Sequence, residues 1–171
     1  KFGACLMAEP SLVADCVNEM QAATNIPVSV KSRIGIDDLD SYAFLHTFDE
    51  QVAQAGCQHF IVHARKAWLT GLSPKQNRDV PPLDYERVYQ IKKDFPKLDI
   101  SINGGIKSLS AANEHLQYVN GVMIGREIYS NPYMLASADQ EIYGSNKAIL
   151  TREQIINSMA DYVDEYVSTT P

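Results

Sequence analysis

The sequence predicts an α/β fold with one parallel sheet, about half of a (β/α)8 barrel. Three observations carry that expectation. Short β-rich runs alternate with stretches of helical periodicity, which is the signature of βα units. Each of the four β-rich runs closes on a polar or glycine signature. The four units occupy about 145 residues, whereas a complete barrel takes roughly 250. A doubly wound sheet is the competing architecture on pattern alone.

Composition bounds the class. The chain has 171 residues, 45% hydrophobic and 21% charged, which suits a globular domain and excludes disordered or collagen-like chains. No run approaches the roughly 18 apolar residues of a membrane helix, and the opening ten residues do not read as a secretory leader. Fifteen Lys and Arg against 21 Asp and Glu give a net charge of −6. That balance argues against a generic nucleic-acid coat and leaves room for a local basic patch. The three cysteines, Cys5, Cys16 and Cys57, are widely spaced without a Cys-x-x-Cys pair, so neither zinc nor a disulfide framework is expected and a cytoplasmic setting is.

The elements follow in order. Pro10 suits a first helical position, and Val13, Cys16, Val17 and Met20 stripe a helix from about Pro10 to Ala23. Residues 26–35 read as a strand running into a loop. A helix from about Asp38 to Ala55 carries Leu39, Tyr42, Leu45, Phe48 and Val52 on one face. Asp37, Asp38, Asp40, Asp49 and Glu50 read as its outward, solvated side. His59–His63 is the second strand, and a loop runs from Ala64 to Pro82. Its length points to function. A helix over 84–95 ends at Pro96. Leu98–Ile102 forms the third strand and Asn103-Gly104-Gly105 closes it. Ser108 caps a helix through Leu116, Gly121–Ile124 is the fourth strand, and Asn131-Pro132 opens another helix. After a linker at 144–147, Thr151 and Gln154 form a capping box for a last helix striped by Ile155, Met159, Tyr162, Val163 and Tyr166. The expected organisation is a barrel part over 1–145 and a separate helical segment over 146–171.

Candidate chemistry sits at the strand ends, where parallel α/β folds place their sites. Lys31 and Arg33 end the first strand, and His63 and Arg65 the second. Asn103-Gly104-Gly105 and Gly125-Arg126 end the third and fourth. The two glycine turns in adjacent loops suggest a phosphate cradle, with backbone amides approaching an anion and Arg126 adding charge. Lys31 near a barrel mouth suits a Schiff base or a charge facing an electron-rich ring. Arg65, Lys66, Lys75 and Arg78, with Trp68 among them, make the long loop the one candidate RNA-facing patch. Cys5 reads as a small buried hydrophobe rather than a nucleophile.

These stretches together resemble the flavin-dependent tRNA-dihydrouridine synthases. The matching runs are Phe2-Gly3-Ala4-Cys5-Leu6-Met7, residues 30–38 from Val30-Lys31-Ser32-Arg33, His63-Ala64-Arg65-Lys66-Ala67-Trp68-Leu69, Gly71-Leu72-Ser73-Pro74-Lys75, Pro81-Pro82-Leu83-Asp84-Tyr85, residues 101–106 around Asn103-Gly104-Gly105, and residues 121–127 around Gly125-Arg126. The His63–Leu69 run points to the A subfamily. The resemblance implies an FMN-binding barrel, of which residues 1–145 would be the C-terminal half, followed by a helical domain that residues 146–171 would begin, both meeting tRNA. It implies reduction of the C5–C6 bond of D-loop uridines, at positions 20 and 20a, with NADPH as reductant. Reduced FMN would pass a hydride to C6 and a cysteine would protonate C5. Lys31 would face the flavin near N1 and O2, and His63 would contact FMN. Asn103, Gly104, Gly105, Gly125 and Arg126 would hold the phosphate end, and Lys75 and Arg78 would touch tRNA.

One departure bears on mechanism. The family's cysteine lies in an Asn-x-x-x-Gly-Cys-Pro motif, and no Cys-Pro occurs here. That cysteine is expected upstream of Lys1, so the chain alone is expected to be inactive. The chain is also expected to self-associate through open sheet edges. Two other readings compete: a non-catalytic tRNA-binding module, and a flavin-free phosphate-binding isomerase or aldolase.

Overall fold

The structure, a computed structural model, describes residues 2–169. It separates into two compact units, Lys1–Gly125 and Arg126–Pro171. That division falls earlier along the chain than the linker at 144–147.

The first unit carries four parallel strands alternating with helices, an α/β arrangement consistent with part of a (β/α)8 barrel. After a 3-10 turn at Ala4–Ala8 come α1 (Pro10–Ala23), β1 (Ser29–Arg33), α2 (Tyr42–Gln54), β2 (His59–His63), α3 (Tyr85–Asp94), β3 (Asp99–Asn103), α4 (Leu109–Leu116) and β4 (Gly121–Met123). Strand order is β1-β2-β3-β4, so each strand pairs with its successor. The order never reverses, as it would at the switch point of a doubly wound sheet. Register aligns Arg33 with His63 and His63 with Asn103 across the first three strands.

Strand alternation sorts the side chains onto two faces. Phe60, Val62, Ile100 and Ile102 are buried with Leu45, Phe48 and Val52 of α2 and Val88 and Ile91 of α3. The residues between them, Lys31, Arg33, Ile61, Ser101, Asn103 and Met123, are exposed or half-buried. The helix caps follow the sequence. Ser41, Asp84 and Ser108 each accept the amide three residues on, at 3.1 Å, satisfying helix-start donors.

The start of α2 differs from expectation. Helical periodicity suggested Asp38, but Ile36 and Leu39 exchange backbone hydrogen bonds in a tight turn (3.1 and 2.8 Å), and Asp37 takes φ 44°. Gly35 makes the turn possible: a Cβ there would lie 2.8 Å from Asp40 Cα and from the Leu39 carbonyl. Nor is the acidic side of α2 wholly solvated. Asp49 points inward and is 1% exposed, while Asp40 pairs with Lys66. Sequence spacing could not separate the two faces because Asp49 sits beside the apolar Phe48 stripe.

The second unit contains α5 (Arg126–Ser130), a 3-10 turn at Pro132–Ser137, α6 (Ala138–Glu141) and α7 (Arg152–Thr169). The Asn131-Pro132 start is 3-10 rather than α. The Thr151–Gln154 capping box is formed, with hydrogen bonds of 2.8 and 3.2 Å. The Tyr133 hydroxyl donates to the Leu150 carbonyl at 3.0 Å, and the Arg152 guanidinium lies over the Tyr133 ring. No helix among the described residues is long and apolar enough to cross a membrane.

A candidate anion and cofactor site at the strand ends

Three predicted residues come together on β1, β2 and β3: Lys31 in the middle of β1, and His63 and Asn103 at the C-terminal ends of β2 and β3. Lys31 Nζ donates to Asn103 Oδ1 at 3.3 Å, spanning the width of β2. Asn103 Nδ2 in turn donates to the Met123 carbonyl at 2.8 Å, so the amide is oriented by β4 and presents its oxygen to the lysine. His63 is buried, 7% exposed. Its ring lies against Gly104, where a Cβ would come within 2.7 Å of His63 Cδ2. These contacts link Lys31, Asn103, Gly104 and His63 in one continuous patch.

The patch is cationic. Partial desolvation by the sheet, and then Arg33, hold the Lys31 ammonium below the ordinary lysine value. Burial, Arg65 and Arg78 act the same way on Arg33. Like charges crowded this way favour a bound anion, which relieves their repulsion.

The loop after β2 is an ordered excursion. Its ends are tied by the Asp84 amide donating to the Ala64 carbonyl at 2.8 Å. Arg33 donates to the Asn77 carbonyl at 2.8 Å and to the Lys66 carbonyl at 3.4 Å. Arg65 donates to the carbonyls of Pro81 and Asp79. Asn77 brackets Trp68, accepting its amide and donating to its carbonyl, both at 2.8 Å. Lys66 pairs with Asp40 at 2.7 Å, donates to the Asp37 carbonyl at 3.1 Å and sits 4.2 Å from the Trp68 ring centroid. Of the four predicted RNA-facing bases, Arg65 and Lys66 therefore donate to groups of the loop and its anchor, although Arg65 Nε is buried without a hydrogen-bond partner among the described residues. Lys75 and Arg78 are exposed, Lys75 just before the 3-10 turn at Gln76–Arg78 and Arg78 at its end. Composition showed the basic loop but not this partition. Arg33, which sequence reasoning left without a role, is the clasp between β1 and the loop. Its position two residues beyond Lys31 on the same strand face was the available signal.

Gly104 and Gly105 both take positive φ, 118° and 70°. Gly125 ends the first unit with no atom within 4 Å of where a Cβ would stand, and Arg126 opens α5 in the second. The cysteines lie elsewhere: Cys16 is exposed on α1, burial raises the Cys57 thiol, and Cys5 donates to the Phe2 carbonyl at 3.3 Å.

Fold and site define a class, a parallel βα protein with a cationic patch at its strand ends. The chain belongs to the dihydrouridine synthase (Dus) family, matching it over residues 1–170. It is 60% identical over 167 residues to the tRNA-dihydrouridine(20/20a) synthase of Shewanella oneidensis, covering 98% of this chain and 50% of that protein. The corresponding protein of Vibrio vulnificus is 60% identical over 169 residues, covering 98% and 52%. That of Vibrio cholerae is 59% identical, with the same coverage. The chain spans about half the length of these relatives.

Proposed function

We propose that the protein containing this chain reduces uridine to 5,6-dihydrouridine in the D loop of tRNA, at positions 20 and 20a, using FMN and NADPH in the cytoplasm. The carrying observation is the Lys31–Asn103 pair inside a cationic strand-end patch, in a chain so close to the (20/20a) synthases. Within that protein, residues 1–145 form the C-terminal half of the barrel and 146–171 begin a helical tRNA-binding domain. Family membership favours this reading over the flavin-free barrel and the plain binding module.

The donor set fits FMN: an amine, a carboxamide and an imidazole beside a glycine turn, with surplus positive charge for a phosphate and an electron-rich ring. When bound, FMN supplies the reducing equivalents for the C5–C6 bond of uridine. This chain's residues bind and orient. Lys31 would hold the flavin ring, where its positive charge would stabilise the negative charge of the reduced form. Asn103 fixes the lysine, and Met123 fixes Asn103. His63 packs the floor beneath the turn. Gly104, Gly105 and Gly125 would take the phosphate end. Lys75 and Arg78 meet tRNA phosphates, while Arg33, Arg65 and Lys66 hold the loop that presents them.

The test is direct. The intact purified protein, given FMN, NADPH and unmodified tRNA, is expected to yield dihydrouridine at positions 20 and 20a by mass spectrometry of tRNA digests. Unchanged tRNA with bound flavin present would overturn the reading.

A further inference from the structure

The run Pro81-Pro82-Leu83-Asp84-Tyr85 anchors the loop after β2 through Pro81 and Asp84, and it also meets the glycine turn directly. The Tyr85 hydroxyl, at the first residue of α3, donates to the Gly104 carbonyl at 2.8 Å. A Cβ on Gly105 would lie 3.1 Å from that hydroxyl and 2.7 Å from Leu83 Cδ1. The turn is thus seated on Tyr85 and Leu83. Among the described residues no backbone carbonyl accepts the amides of Gly104 or Gly105. The start of α4 is closed separately, because Ser108 caps it.

Tyr85 is itself held. Its ring meets His115 edge-on with centroids 4.4 Å apart. His115 Nδ1 shares a 2.6 Å hydrogen bond with the buried Tyr89 hydroxyl. A phenol fixed on its far side is a rigid post rather than a mobile surface group.

We propose that Tyr85 is a positioning residue for phosphate binding, acting through the backbone of Gly104. The inference rests on the glycine turn being the phosphate end of the cofactor site. Peptide orientation at a doubly positive-φ turn has little intrinsic preference, since glycine populates both halves of φ space. A hydrogen bond to the Gly104 carbonyl selects one orientation of the Gly104–Gly105 peptide. It thereby aims that peptide's amide, on the opposite side, away from Tyr85. Such an amide is pre-organised for an anion and costs no reordering when one binds.

The experiment compares FMN with riboflavin, which lacks the phosphate, by flavin-fluorescence titration of the intact protein. Wild type is expected to favour FMN. Tyr85→Phe removes one hydroxyl and is expected to weaken FMN about three- to tenfold, the range of one neutral hydrogen bond, while riboflavin affinity stays unchanged. Tyr89→Phe, which loses the His115 bond but not the turn contact, is expected to lower the melting temperature and leave the FMN-to-riboflavin ratio intact. A Tyr85→Phe ratio equal to wild type overturns the positioning role and leaves the phosphate site standing. A wild type that binds the two flavins equally overturns the phosphate reading and this inference with it. Equal loss of both flavins in Tyr85→Phe also overturns it, marking Tyr85 as merely structural.

Discussion

Lys31 and Asp49 show opposite ways of handling a polar group near the sheet. Lys31 remains open to solvent and is oriented by Asn103 at 3.3 Å. Removing it takes away a charged partner, worth about 10- to 100-fold in affinity for an anionic ligand. Lys31→Ala is therefore expected to weaken FMN by that much in the same fluorescence titration, and unchanged affinity would return Lys31 to a surface role. Asp49 is enclosed between α2 and the core, and neither of its oxygens meets a donor among the described residues. Burial pushes its carboxyl up to about 8. The folded chain keeps this proton to about pH 8, whereas the unfolded chain releases it near pH 3.9. The stability it contributes is complete below about pH 4 and is lost as pH rises through about 8. Asp49→Asn carries no such proton. It is expected to show a flatter urea midpoint than wild type between pH 4 and 8. Parallel profiles of wild type and variant would show that Asp49 ionises alike in both states.

At the scale of elements, the loop after β2 is held mostly by side chains acting on backbone. The Asn77 side chain makes three hydrogen bonds there, to the Trp68 amide, the Trp68 carbonyl and the Leu72 carbonyl. Its own carbonyl receives Arg33. Asn77→Ala keeps the Arg33 bond and loses the other three, so the loop loosens while the sheet stays intact. Limited trypsin cleavage after Lys75 and Arg78 is expected to accelerate severalfold, because local opening governs cleavage. The melting temperature is expected to fall by only a few degrees. Unaltered cleavage would mean that Arg33 and Arg65 alone hold the loop. The turn before α2 belongs to the same unit. Asp37 accepts the Leu69 amide at 2.8 Å, and its own amide donates to the Ala67 carbonyl at 2.9 Å. The loops after β1 and β2 are thus stitched to one another.

For the whole molecule, charge placement matters more than charge total. A chain of net −6 still concentrates Lys31, Arg33, Arg65 and Arg78 at one end of its sheet, and Lys75 stands exposed on the same loop as Arg78. If Lys75 and Arg78 each meet one tRNA phosphate, replacing either by Ala is expected to reduce the slope of log affinity against log salt by about 0.7–0.9. Filter binding of tRNA by the intact protein across a salt series reads this out. A slope unchanged in both variants would place the tRNA contacts elsewhere.

Much of this was legible from residues alone. Periodicity and capping residues placed α1, β2 and the capped starts of α3, α4 and α7, because those signals are local in the chain. The strand-end row, Arg33, His63 and Asn103-Gly104-Gly105, was legible because strand termini in a parallel sheet share one edge, whereas Lys31 lies two residues inside it, in register with Ile61 and Ser101. What tertiary structure decided was partnership. Asp49 and Asp40 look alike in the sequence, yet one is buried unpaired and the other holds Lys66. Arg65 and Lys66 look like Lys75 and Arg78, yet the first pair grips the loop from within. Tyr85 gave no sign of reaching a turn 19 residues away. Each outcome depends on which group packing brings within hydrogen-bond range. That proximity is set by the register of β1, β2 and β3 and by the path of the loop between them, and no local pattern encodes it.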